Sequence, residues 1–295
     1  MGVAKRNERT GLYEQFDIRF QNSKSMDTYL RGMIEQAIKG AYEGGLEILE
    51  VYGTEFTVDV KEDKSPLTEA DRRAHDKIME FLEGTGIPVL SEEGKHLSYE
   101  ERKDWNEFWL VDPLDGTKEF VKRNGEFTVN IALIRDGVPV SGIIYVPVTD
   151  EMYLGLEGKG AFKIDNYSKV HASHSGIDDL LSKGDRLPKE NTDSKFTMVG
   201  SRSHMSDETM EYFDKMKAEH GDVEIVSMGS SLKLCLVAEG VADVYPRFAP
   251  TMEWDTGAGD AIARNSGCVV TEKDEVTPLQ YNKENLLNPW FIVKR

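Results

Sequence analysis

The sequence predicts an α/β (α+β) protein in two parts. Apolar residues recur at helical spacing early in the chain, then alternate at strand spacing around an Asp136-Gly137 turn, and after about Lys169 short apolar strands take turns with helices. The expected division is an α+β half over residues 26–168 and an α/β half over 169–295, with 1–25 a polar, loosely held extension.

From Asp27 to Tyr52, the positions Leu30, Met33, Ile34, Ala37, Ile38, Ala41, Leu46 and Leu49 mark a long amphipathic helix, with Gly44 and Gly45 placed to bend it. A second helix starts near Thr68, carries Ala70, Ala74, Ile78, Phe81 and Leu82 on one face, and ends at Gly84. Two apolar strands follow, Ile87 to Leu90 and Phe108 to Val111, each running straight into acidic residues. Phe127 to Leu133 and Val138 to Val146 read as an antiparallel hairpin, and Met152 to Phe162 as a strand with a glycine-rich turn. Beyond Lys169 the strands are Phe196 to Val199, Val223 to Val226, Ala242 to Tyr245 and Cys268 to Thr271. The helices between them are Asp207 to Lys217, Ser231 to Glu239 and one from near Asp255 closed by Gly267.

With 295 residues, 39% hydrophobic, the chain is long enough to bury a large core, so disorder is not the expectation. Its 36 basic and 53 acidic residues give a formal charge of -17 and no basic block, which disfavours a nucleic-acid polymer or an anionic membrane as partner. A phosphorylated substrate would be repelled unless the site carries local positive charge from metal ions or clustered Lys and Arg. Cys235 and Cys268, each within an apolar stretch, read as buried thiols of a reducing compartment. Without an apolar run of membrane length or a signal-peptide core, no integral membrane contact is expected, and the expected location is cytoplasmic. The oligomeric state is open, a homodimer included.

The strongest local signal is Asp112-Pro113-Leu114-Asp115-Gly116-Thr117, which follows a strand and sets two carboxylates at a sheet mouth. Acids at i and i+3 across such a turn can ligate hard cations, because magnesium prefers oxygen donors. A lone turn of this kind is more often merely solvated. Three further acids shift that balance: Asp71 in Thr68-Glu69-Ala70-Asp71, Glu92 in Ser91-Glu92-Glu93-Gly94, and Asp255 in Trp254-Asp255-Thr256-Gly257-Ala258. Structural roles compete here too, since Asp71 has capping-box spacing from Thr68 and Asp255 could be a plain N-cap. Glu93 reads as a solvated neighbour of Glu92. No His or Cys cluster has zinc-ligand spacing and no phosphate-binding glycine loop follows a strand, so a zinc hydrolase, kinase or dehydrogenase is not indicated.

An acidic pair after a strand, then D-P-[IL]-D-G-T, then W-D-x-[AG]-[AG], together resemble the inositol monophosphatase superfamily of magnesium-dependent, lithium-sensitive phosphatases. The likeness runs from about Asp27 to the C-terminus. It implies an αβαβα layered sandwich with the site between the two halves. It implies that Glu92, Asp112 and the Leu114 carbonyl hold one Mg2+, that Asp112, Asp115 and Asp255 hold a second, and that a third, weaker ion is held through Glu92 and waters. Asp71 and Thr117 would orient the attacking water, and the amides of Gly116 and Thr117 would meet the phosphate.

Within the superfamily, Lys122-Arg123-Asn124-Gly125-Glu126-Phe127, Ser201-Arg202-Ser203-His204, Gly229-Ser230-Ser231-Leu232-Lys233 and Tyr245-Pro246-Arg247-Phe248 resemble the bisphosphate nucleotidase branch. The implied substrate is a small phosphonucleotide, adenosine 3',5'-bisphosphate. Arg123, Arg202, Lys233 and Arg247 are the candidates to neutralise the phosphate that does not react, and Gly229, Ser230 and Ser231 would contact it or the ribose. Arg247 is the informative residue, because inositol-specific relatives tend to carry an acid in that region. The rival readings are an inositol monophosphatase or sugar bisphosphatase, and a non-catalytic sensor of metal and phosphonucleotide.

Overall fold

A computed structural model of the chain describes residues 28–54, 66–189, 195–200 and 205–295. The extension at 1–25 and the Ser201-Arg202-Ser203-His204 stretch lie outside the described residues. The first helical repeat forms one helix, α1 (Thr28–Tyr52), unbroken at Gly44 and Gly45. Those glycines serve packing rather than a bend: a Cβ would stand 2.9 Å from Ile78 Cγ1 at Gly44 and 2.5 Å from Tyr145 Cδ1 at Gly45. The next helix, α2 (Pro66–Leu82), opens on proline two residues before Thr68, so Thr68 is not its N-cap and Asp71 lies beyond its first turn.

There follow β1 (Val89–Ser91), α3 (Tyr99–Arg102), β2 (Glu107–Asp115), α4 (Thr117–Lys122), β3 (Thr128–Arg135), β4 (Val138–Val146), β5 (Glu151–Leu156) and β6 (Gly160–Asp165). Then come α5 (Tyr167–His171), α6 (Ile177–Ser182), β7 (Asp185–Leu187), β8 (Phe196–Val199), α7 (Asp207–His220), β9 (Val223–Val226) and α8 (Leu232–Glu239). The order closes with β10 (Val244–Arg247), α9 (Glu253–Asn265), β11 (Val269–Glu272) and β12 (Phe291–Lys294).

Strands β1 to β7 form one sheet in sequential order, antiparallel except for the parallel β1/β2 pair. The second sheet has the order β11-β12-β10-β8-β9, with β10, β8 and β9 parallel and β12 antiparallel to its neighbours. Because β7 joins the large sheet, that sheet crosses the expected boundary at residue 168.

Strand alternation sorts the side chains into layers. Trp109, Val111, Val129, Ile131, Ile143 and Tyr145 pack with α1 and α2, whereas Leu110, Ala132, Ile134, Ile144 and Val146 face α8, α9 and the second sheet. On the far side Met198, Val244 and Ile292 pack with Tyr212 and Met216 of α7. The resulting sequence of layers is α1/α2, large sheet, α8/α9, small sheet, α7: the αβαβα sandwich. Helix α9 is seated closely on the large sheet, since a Cβ at Gly142 would be 2.2 Å from the Ala258 carbonyl oxygen. No helix among the described residues is long and apolar enough to cross a membrane.

Candidate active site

Three elements end at one place. Glu92 directly follows β1, its amide donating to the Val111 carbonyl (3.1 Å). Asp112 and Asp115 close β2, where pairing with β3 holds at Asp112/Asn130 and at Asp115/Thr128 but shifts register between them. Pro113 has no N–H to continue the ladder, and the irregularity turns both carboxylates toward the strand mouth. The Leu114 amide donates to Asp112 Oδ1 (3.1 Å). Asp255 sits in the first turn of α9, its Oδ2 accepting from the Met252 amide (2.9 Å), so it does serve the helix end as well.

Carboxylate oxygens of Glu92, Asp112 and Asp255 lie within 4.8 Å of one another. Asp115 is held slightly apart: its Oδ2 accepts from the Ser231 amide (2.5 Å) and from Asn130 Nδ2 (3.3 Å). Asp71, 8% exposed on α2, has no hydrogen-bond partner at Oδ1. Glu93, read from sequence as a solvated neighbour, is exposed, and its charge adds to the field that raises the Asp71 carboxyl.

Buried Asp71 and Asp112 share this place with half-buried Asp115 and Asp255 and with exposed Glu92, and their like charges raise one another's proton affinity. Burial, then Glu93 and Glu92, pushes the Asp71 carboxyl up to about 8. Burial, then Asp255, Glu93 and Asp115, pushes Glu92 up to about 7. Asp255 rises to about 6 through burial and Asp115, restrained by the Met252 amide, Arg247 and Lys233. Burial also raises Asp112, with Asp115 and Glu92 adding to it, and raises Asp115 against the pull of Lys233 and the Ser231 amide.

A cleft of about 770 Å³ opens above this nest, lined by Glu92, Asp112, Leu114, Asp115, Gly116, Thr117, Ser230, Ser231, Lys233, Arg247 and Asp255 among others. Asp71 and Gly229 are not in its lining, and no hydrogen bond joins Asp71 to Thr117. Gly229 anchors the turn instead, its amide donating to Glu126 Oε2 (2.7 Å). Ser230 is in the left-handed region (φ 46°), its buried Oγ without a partner. Lys233 Nζ donates to the Ser230 carbonyl (2.8 Å) and Arg247 Nη2 to the Pro250 carbonyl (3.1 Å). Arg202 lies outside the described residues.

Several contributors were not assigned roles from the sequence. Lys118 and Lys122 line the cleft from α4, and Met205, Phe248 and Phe291 form an apolar wall. Thr128 and Asn130 hold Ser231 by its hydroxyl (2.8 and 2.9 Å). Their signal was present, because buried polar residues at 128 and 130 interrupt the face that continues as Ala132 and Ile134.

The model of the Inositol monophosphatase family matches residues 30–289. The chain belongs to the inositol monophosphatase family. Among curated members, it is 45% identical over 266 residues to the 3'(2'),5'-bisphosphate nucleotidase CysQ of Shigella flexneri, covering 88% of this chain and 99% of that one. It is 35% identical to the CysQ of Haemophilus influenzae over 88% and 92% of the two chains. The crystal structure of CysQ from Bacteroides thetaiotaomicron superposes with a TM-score of 0.86 at 51% identity, over 91% and 98% of the two chains. An inositol monophosphatase from Zymomonas mobilis shares the fold (TM-score 0.68, 22% identity).

Enzymes of the inositol monophosphatase family are metal-dependent, and this nest has the matching donor set: hard carboxylate oxygens, converging, with raised proton affinities and an orphaned Asp71 oxygen. A cation there relieves the mutual repulsion that protons otherwise relieve.

Proposed function

We propose that the chain is a Mg2+-dependent 3'(2'),5'-bisphosphate nucleotidase, which hydrolyses the 3'-phosphate of adenosine 3',5'-bisphosphate to give AMP and phosphate. The observation that carries the reading is the convergence of Glu92, Asp112 and Asp255 on the floor of a cleft whose other wall presents Lys233 and Arg247. The CysQ relatives, similar over nearly their whole length, support the same activity.

In this reading Glu92, Asp112, the Leu114 carbonyl, Asp115 and Asp255 hold two Mg2+ ions, with a third more weakly held. Bound there, Mg2+ supplies Lewis acidity, making water a nucleophile near neutral pH and offsetting charge on the phosphoryl oxygens. The Asp71 carboxylate would take the one proton the attacking water gives up, and the Thr117 hydroxyl, exposed at the start of α4, would help orient that water. The amides of Gly116 and Thr117 face the reacting phosphate. Arg247, Lys233 and the 229–231 turn bind the second phosphate and ribose, Arg202 joins them, and Arg247 excludes ligands that offer only hydroxyls there.

Five carboxylates and four cationic side chains line the cleft (Glu92, Asp112, Asp115, Glu119, Asp255; Lys118, Lys122, Lys233, Arg247), so side chains alone leave it unfavourable to a bisphosphate. Metal supplies the difference. The test is phosphate release from a panel of esters with Mg2+ present or chelated. Adenosine 3',5'-bisphosphate is expected to exceed inositol 1-phosphate and fructose 1,6-bisphosphate by about 100-fold in kcat/KM, the scale set by leaving two half-buried cations without their anion. Equal rates on inositol phosphate would assign the site to its monophosphatase relatives, and binding without turnover would make it a sensor.

A further inference from the structure

The acids of the nest hang on elements, and Asp255 hangs on the first turn of α9. Two residues before it, at the first position of α9, stands Glu253, which is 0% exposed. Its carboxylate does not point to the cleft. Oε2 accepts from the Asn282 amide (2.7 Å), and Oε1 accepts from the Lys283 amide (3.0 Å) and Lys283 Nζ (2.7 Å). The Glu253 amide in turn donates to the Leu286 carbonyl (2.9 Å). Asn282 is in the left-handed region (φ 66°), and its side-chain amide is pinned to the backbone oxygen and guanidinium of buried Arg102 (both 2.8 Å). Asn288 closes the loop from the other end, donating to the Met252 carbonyl (2.8 Å) and Thr256 Oγ1 (2.9 Å).

Residues 282–288 contain no helix or strand, yet they bond to Met252, Glu253 and Thr256 around the turn that presents Asp255. A buried carboxylate met by three donors, with a cation among them, is a stiff joint. We propose that Glu253 is a positioning residue: by clamping the 282–288 loop onto the first turn of α9, it sets the Asp255 carboxylate at the distance from Glu92 and Asp112 that a divalent cation requires. The proposal rests on the reading of Asp255 as a metal ligand.

The test is calorimetric titration of Mn2+ into the metal-free full chain, with the melting temperature measured alongside. Glu253→Gln keeps the volume but turns one acceptor into a donor facing donors, and it should weaken Mn2+ binding about tenfold or more, as loss of an outer-shell partner does. Ile48→Ala, a cavity in the helix layer remote from the nest, should lower the melting temperature and leave Mn2+ affinity unchanged. If Glu253→Gln does not fold, Lys283→Gln loosens one of the three contacts and should weaken binding about threefold, within the range of a single modest hydrogen bond. Asp255→Asn separates the two readings. Should it weaken Mn2+ binding while Glu253→Gln (or Lys283→Gln) matches the unsubstituted chain, the clamp is wrong. Unchanged affinity in Asp255→Asn would overturn the ligand assignment itself, and equal weakening by Ile48→Ala would reduce the effect to lost stability.

Discussion

Asp112 is the residue on which the site turns, being 1% exposed and close to both Glu92 and Asp255. Asp112→Asn removes a shared charge, and kcat is expected to fall by roughly 10³-fold or more, the scale of charge-stabilising groups in phosphoryl transfer. Steady-state phosphate release with Mg2+ in excess checks this. Asp71→Asn keeps shape but not basicity, so kcat should fall by about 10²- to 10⁴-fold while bisphosphate still binds, as calorimetry can show. The raised carboxyls also fix a pH dependence. A group whose proton affinity is higher when folded favours the folded state below its ordinary value, and that advantage is lost as pH rises through about 6 to 8 for Asp255, Glu92 and Asp71. Carboxyls with lowered values, such as Asp178, are already ionised there and contribute no slope. The metal-free protein should therefore melt at lower temperature at about pH 8.5 than at about pH 6, and Mg2+ should raise the melting temperature more at the higher pH. Calorimetric scans with and without chelator test both signs.

At the level of elements, Asp255 reaches the nest because α9 lies directly on β4 and β5. Gly142 and Gly155 allow it, since a Cβ at Gly155 would stand 2.5 Å from Ile262 Cα and one at Gly142 even nearer the Ala258 carbonyl oxygen. Gly142→Ala should cost about 1 to 3 kcal/mol by overpacking and weaken divalent-metal binding by tilting α9, as denaturant melts and metal titration can measure. The sequence revealed the helices and strands with periodicity to show, with strand ends within a few residues, except that Met152 to Phe162, read as one strand and a turn, opens into the pair β5 and β6. It concealed the elements whose formation depends on neighbours. Phe291-Ile292-Val293 is too short to carry a period, yet β12 sits between β10 and β11 in the small sheet. β7 and α5 likewise exist by pairing and packing: Arg186 pairs with Phe162, and Tyr167 lies against Tyr42 and Tyr145. The acids of the nest were legible because each ends a readable strand or opens a readable helix. Glu253 was not, because only the fold determines which way a side chain beside a marked acid turns.

Across the molecule, the nest is a junction of layers. The cluster that unites Leu110, Ala132 and Ile144 of the large sheet with Leu234 of α8, Ile262 of α9 and Tyr245 and Phe291 of the small sheet is continuous. Neither sheet can bury that face alone, so urea unfolding should give coincident transitions by tryptophan fluorescence and far-ultraviolet circular dichroism. Separate transitions would show that the two sheets are independent units. The formal charge of -17 fits the same picture, because the chain must gather cations locally to handle an anion. The most direct test is anomalous diffraction from a crystal soaked in Mn2+. Peaks between the carboxylates of Glu92, Asp112 and Asp255 are predicted; those acids found with only water between them, at saturating Mn2+, would contradict the account.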